Sequence, residues 1–398
     1  MRPLPALLCL LTFVAACAQA PASPSIPELQ TAGTLGEDVF LQSGATGMVL
    51  VVVRDGHVFF RGYGETAPGS HQVPTQGSLL RLCSLTKIFT SDVLARLVAD
   101  GTVRLDDPLQ RFAPPHSVVP RRGHPITLEE LATHTSGLPR ELGTGPRGTP
   151  HFTYPDYTTR WRWLPKQHLR SAPGTAGLYS NVAFDFLADA LQSAAHKPYP
   201  ALLSDRTVNP LHMRNTTFFP NAGQCSLLLA AAFDEGPCTV TEATDGSSGL
   251  YSTASDMTIW LQYLLGTGGP AIPAQDPAAQ AVYLVPSHLI RQTGLDHAGE
   301  PTGIGLGWIH ILPTGDPSEI VEKTGGGAGF ETYIALNRAR GTAVFLAATD
   351  GPVQTHFNLF NGANKLLLAI AGLPPLPPPP PKRAHPARHA RRHSRRKV

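Results

Sequence analysis

Charge is scarce in this chain of 398 residues. Asp, Glu, Lys and Arg make up 15% of it and aromatic residues 7%, against 42% hydrophobic residues. That balance excludes a solvated polyelectrolyte and predicts a folded core. Between residues 21 and 372 there is no apolar run of about 18 residues, so no membrane-spanning helix is expected there. Metal-ligand spacing is missing as well: the five cysteines and sixteen histidines form no zinc-type pattern, and there is no H-E-x-x-H. Nor is there a G-x-S-x-G elbow, because Gly246-Ser247-Ser248-Gly249 runs on into Leu250. His134, in the stretch Thr133–Gly137, reads as a structural loop residue rather than a base. A cationic body is lacking too. The formal charge is +3, but residues 373–398 hold eight basic residues and no acid. With Arg2 set aside, residues 21–372 carry 23 basic against 29 acidic residues, a net −6. Nucleic acid binding by such a body is excluded.

What is present begins with two unusual ends. Arg2, the apolar run Leu7–Ala16 and Ala18-Gln19-Ala20 read as an export signal over 1–20. A second reading competes: Val14-Ala15-Ala16-Cys17 resembles a lipobox, with Cys17 the lipidated residue, and Pro21 hinders ordinary cleavage. Either way the protein is expected outside the cytoplasm, in the periplasm or anchored to the envelope. Cys225 and Cys238 can then close a short loop, worth about 3 kcal/mol by the loop-entropy argument. Cys83, in an apolar run, reads as a buried core thiol. Leu373–Pro381 holds seven prolines and reads as a stiff spacer before a basic, disordered tail. Contact of that tail with an anionic envelope surface and a merely solvated tail are both open.

The body, 21–372, is long enough for one large domain or two joined ones. Residues 47–53 and 57–63 are β-rich runs around Asp55-Gly56, a hairpin signal. Leu85, Ile88, Phe89, Val93, Leu94, Leu97 and Val98 have helical spacing, stopped by Gly101. Residues 126–133, 183–195 and 255–265 read as helices, the last capped by Thr253 or Ser255. Tyr333–Leu336 and Thr342–Ala348 read as strands, and Phe357–Ala371 as a final helix. Strands at both ends with helices between predict an α+β fold, its antiparallel sheet built from both termini.

Three short motifs occur in order: Ser84-Leu85-Thr86-Lys87, Tyr179-Ser180-Asn181 and Lys323-Thr324-Gly325. An S-x-x-K alone carries little, since Ser394-Arg395-Arg396-Lys397 in the tail also fits. The set is far more specific. Ser84 falls where the apolar helix begins, at the positive end of its dipole, and Lys87 shares its face. A serine hydroxyl needs a neighbouring base to become a nucleophile. Lysine can serve only if burial or another cation, such as Lys323, lowers its pKa. Taken alone, Ser84 would be a helix cap and Lys87 a solvated charge. Tyr179 can relay a proton and Asn181 can bind an amide. Lys323 and Thr324 can hold a carboxylate. The backbone N–H groups of Ser84 and Gly326 can form an oxyanion hole.

These motifs, with "LATHTSGLPRE" (131–141), "GLYSTASDM" (249–257), "GLGW" (305–308) and "KTGGGAGFETYIAL" (323–336), resemble the serine β-lactamase and penicillin-binding protein family. Tyr-Ser-Asn in second place points to its class C-like branch. Within that branch the chain looks most like periplasmic DD-carboxypeptidase/DD-endopeptidases of peptidoglycan, in which Cys225 and Cys238 also look like a pair. The resemblance spans roughly 35–370 and stops before the tail. It implies a β-lactamase/transpeptidase-like fold. Ser84 would attack D-Ala–D-Xaa bonds, with Lys87 and Tyr179 moving protons and Asn181, Lys323 and Thr324 binding substrate. Stem peptides would be substrates and β-lactams acylating inhibitors, with no metal or organic cofactor. A class C-like β-lactamase or esterase on the same fold, and a non-catalytic cell-wall or β-lactam sensor, are the alternatives.

Overall fold

The computed structural model describes residues 27–233 and 236–377. The export signal with Cys17 and the basic tail from 378 onward lie outside the described residues. The main sheet has seven strands, every adjacent pair antiparallel. In chain order they are β1 (Gly47–Arg54), β2 (His57–Gly64), β3 (Pro301–Ile304), β4 (Ile309–Ile311), β5 (Ile320–Gly327), β6 (Phe330–Asn337) and β7 (Thr342–Thr349). Their spatial order is β2-β1-β7-β6-β5-β4-β3, so the N-terminal hairpin joins the C-terminal strands through the β1–β7 pairing. The sheet is therefore assembled from both ends of the body.

Alternation along these strands feeds two cores. Val49, Val51 and Val53 of β1 face a large helical region with Phe345 and Ala347, while Met48, Leu50 and Val52 face the other side. There α1 (Pro27–Ser43) and the C-terminal helix Leu359–Ile370 cover the sheet. Both faces are buried, which is why β1 reads as an unbroken apolar run.

The helical region supplies the other wall of the site. Its first long helix is α2 (Thr86–Ala99), with Gly101 just beyond at a left-handed φ. A second, α3 (Asn181–Ala195), is capped by the Ser180 hydroxyl, which accepts from Ala183 N–H. Thr253 caps the helix Ala254–Leu265 by accepting from Asp256 N–H. The helical segment expected over 126–133 is shorter, five residues from Leu128 to Ala132, opened by a Thr127–Glu130 capping box. Helix α1 has no counterpart in the sequence reading. A disulfide joins Cys225 and Cys238 across 13 residues. No helix among the described residues is long and apolar enough to cross a membrane.

Candidate active site

The site lies where the end of β5 meets the first turn of α2. A short strand ends at Arg81, Leu82 already has helical dihedrals, and Cys83 turns sharply, at a φ of 51°. Ser84 follows in a 3₁₀ turn that leads into α2. Three contacts fix this corner. The Thr332 hydroxyl of β6 donates to Leu82 O at 2.9 Å, the Thr86 hydroxyl donates to Cys83 O at 2.8 Å, and the Cys83 thiol donates to Gly327 O at 3.4 Å. Cys83 is fully buried, and that burial pushes its thiol up to about 12, an inert group.

Lys87 sits one helical turn below Ser84, with no exposed surface. Its Nζ donates to Ser84 Oγ at 3.2 Å, Asn181 Oδ1 at 2.6 Å and Ser247 O at 2.8 Å. Those three bonds use all the protons an ammonium offers. Burial and the Lys323 charge lower its pKa, while Tyr179 and Asp185 oppose them. Asn181 opens α3, so its amide projects from the helix mouth toward Lys87. Its Nδ2 donates in turn to the Glu141 carboxylate.

Tyr179 is the electrostatic centre. Lys323 Nζ lies 4.9 Å and Lys87 Nζ 5.0 Å from its ring centroid, with the Arg140 guanidinium at 4.8 Å. Burial alone would raise the phenol. The charges of Lys323 and Lys87 bring it down instead to about 8. His134 stacks on the ring at 4.4 Å, and its Nδ1 accepts from Ser180 N–H at 3.1 Å. Burial and the neighbouring cations keep His134 neutral, well below its ordinary value, so it braces the tyrosine.

A cleft of about 240 Å³ opens above these groups, lined by Ser84, Arg140, Tyr179, His297, Thr324, Gly325, Gly326, Glu331 and Phe360. Gly325 has to be glycine: a Cβ there would stand 2.2 Å from Thr332 Oγ1 and 3.2 Å from Ser84 N. Gly326 lines the cleft beside Ser84, where a Cβ would make only an ordinary contact, 3.8 Å from Phe330 O. Lys323 is only 3% exposed, with its Nζ over the Tyr179 ring, while Thr324, Arg140 and His297 line the cleft itself. Among the described residues no three His, Cys, Asp or Glu side chains converge as a metal site.

Ser84, Lys87, Tyr179, Asn181, Lys323, Thr324 and Gly326 thus converge, although they come from three distant segments. Sequence reasoning missed Arg140, Glu141, His297, Ser247 and Asp185. The stretch Gly246–Gly249, noted only as a failed elbow, packs directly behind Lys87. Asp185 had a weak signal, an acid inside the apolar run of α3.

Fold and geometry together are those of a serine acyl-transfer enzyme with a lysine–tyrosine pair. The chain belongs to the β-lactamase family, whose model matches residues 26–361. It is 41% identical over 341 residues to the D-alanyl-D-alanine-carboxypeptidase/endopeptidase AmpH of Escherichia coli K12, covering 85% of this chain and 89% of that protein. A β-lactamase/D-alanine carboxypeptidase from Yersinia pestis, solved with citrate, superposes with a TM-score of 0.81 at 40% identity, covering 86% of this chain and 99% of that one. A class C β-lactamase shares the fold at a TM-score of 0.69 and 18% identity, covering 87% and 97%.

Proposed function

We propose that the protein is a serine-type D-alanyl-D-alanine carboxypeptidase/endopeptidase that cleaves D-Ala–D-Xaa bonds of peptidoglycan stem peptides through an acyl-enzyme. The observation that carries this is the buried contact of Lys87 Nζ with Ser84 Oγ beside a phenol lowered to about 8. Ser84 Oγ attacks the carbonyl while its proton passes to the Lys87–Tyr179 pair. The Ser84 and Gly326 N–H groups receive the oxyanion. The C–N bond then breaks, and Tyr179 delivers a proton to the leaving amine. Water cleaves the ester and restores the Ser84 hydroxyl. Asn181 keeps one amide proton free for the acyl chain. Thr324 and Arg140 receive the terminal carboxylate, with the Lys323 charge behind them. Residues 21–372 form the enzymatic unit, exported to the periplasm by 1–20, with 373–398 as a spacer and a tail for an anionic envelope surface.

The test is mass spectrometry of the exported protein after penicillin treatment, with chromatography of muropeptides. A penicilloyl adduct on Ser84 and shortened pentapeptides are expected, and Ser84→Ala should abolish both while remaining folded. Unchanged muropeptides would sink the peptidase reading. Rapid loss of the adduct would favour the second reading, a class C-like β-lactamase, which the shared fold supports. The same spectra report whether the mature chain starts at lipidated Cys17. Retention at the envelope in low- but not high-salt washes tests the tail.

A further inference from the structure

Behind Lys87 lies a segment, residues 242–250, clamped between α2 and α3. The Thr90 hydroxyl donates to Gly246 O at 2.8 Å, and Thr86 Oγ1 accepts from Leu250 N–H at 3.1 Å. A Cβ on Gly246 would stand 2.1 Å from Phe184 O, so the backbone lies directly against α3. This places Ser247 O at 2.8 Å from Lys87 Nζ. On α3, Asp185 stands four residues beyond Asn181, on the same face. It is 1% exposed, the Ser247 hydroxyl beside it acts to lower its pKa, and its Oδ1 has no partner among the described residues. Asn181 and Ser247, the two acceptors of Lys87 besides Ser84, are thus tied to one turn of α3. Nearby Asp189 differs, because both its carboxylate oxygens accept from one edge of the Arg160 guanidinium, Nε and Nη2.

We infer that Asp185 and Ser247 are a positioning pair that fixes Lys87 and sets how readily the Lys87–Tyr179 pair gives up its proton. The inference rests on the acyl-enzyme reading above. To accept the Ser84 proton, the pair must first lose one, whichever residue held it. Lys323, Arg140 and His134 face the pair from β5 and the loops, and the two cations ease that loss. Asp185 faces it from α3 and opposes it whenever ionised. Burial raises Asp185 to about 7, against Arg160, Ser247 and Lys87, with Asp189 pushing it up further. Asp245 also lies in this cluster.

The experiment follows penicillin acylation of Ser84 across pH in the mature protein. Asp185→Asn keeps the shape and removes the anion. The acid limb of its acylation rate should move down by about one pH unit, the low end of what a nearby opposite charge does. Non-covalent penicillin affinity should stay unchanged. Ser247→Ala keeps the carboxyl but frees the carbonyl that receives Lys87, and should slow acylation at unchanged affinity. A folded Asp185→Asn with the parental limb would overturn the inference. If that variant does not fold, Ser247→Ala acylating at the parental rate would do so. Failure of the parent to form any Ser84 adduct would instead sink the functional reading.

Discussion

Glu322, the residue before Lys323 on β5, offers a quantitative test of the site's electrostatics. It is 2% exposed and sits in register with Ala335 and Ile309. Its Oε2 has no partner among the described residues. Burial raises its carboxyl from 4.5 to about 8, against the pull of Lys323. The sign follows from linkage. A carboxyl with a raised folded pKa binds more protons folded than unfolded, so its contribution is present below the unfolded value and lost as pH rises through the folded one. Each tenfold in protonation is about 1.4 kcal/mol, so Glu322 costs about 5 kcal/mol when fully ionised. Between about pH 5 and pH 8 the change is about 3 kcal/mol, a large part of an ordinary domain's stability. Glu322→Gln removes the titration at nearly constant volume. Urea unfolding of parent and variant across that range should show the variant gaining about 3 kcal/mol relative to the parent as pH rises. Any lost or gained hydrogen bond shifts both ends alike. A difference that does not change with pH would refute the reasoning.

Removal of a cation should act opposite to Asp185→Asn. Lys323→Met withdraws one of the two lysine charges that bring Tyr179 to about 8. The acid limb of penicillin acylation should rise by about one unit, and the rate near neutral pH should fall about tenfold; a limb that stays or falls contradicts the role given to Lys323. Gly246→Ala forces a methyl into the Phe184 carbonyl. It should cost about 2 kcal/mol in thermal unfolding and slow acylation; parental Tm and rate would show that the segment yields without disturbing Lys87.

Most of the sheet was legible because its strands have simple signals. Asp55-Gly56 marks a hairpin, and β1, β6 and β7 are apolar on both faces. Helix α1 was hidden by its own packing. Gly33 and Gly36 lower its helical propensity, yet a Cβ at Gly36 would stand 2.3 Å from the Tyr63 hydroxyl and 2.5 Å from Leu50. Those glycines let the helix lie close on the sheet, a tertiary reason that local propensity does not contain. The site motifs were legible for the same reason that the second rank of residues was not. Ser84 and Lys87 lie one helical turn apart, and a three-residue spacing can be read locally. Lys87 and Ser247 are brought together across 160 residues. Nothing in "TDGSSGL" indicates that its carbonyl will receive a lysine.

The scarcity of charge in the sequence is not shared by the interior. Lys87, Lys323, Arg160, Asp185, Asp189, Asp245 and Glu322 are all buried at or behind the cleft. Seven ionisable side chains cannot be taken from water without cost unless they compensate one another. Arg160 and Asp189 do so directly. The remaining two cations and three acids are joined less completely, and Asp185, Asp245 and Glu322 each keep an oxygen without a partner among the described residues. Neutral packing would be the cheaper way to fill the same volume. Burial magnifies each charge, because water no longer screens it. Two lysines so placed can hold a tyrosine near neutrality, and one aspartate can temper the more deeply placed lysine. Solvated residues at the same distances would act on each other far more weakly. The incomplete compensation is therefore what makes the pair responsive. Under the proposed mechanism it also ties the stability of the fold and the readiness of Ser84 to pH through the same group of buried side chains.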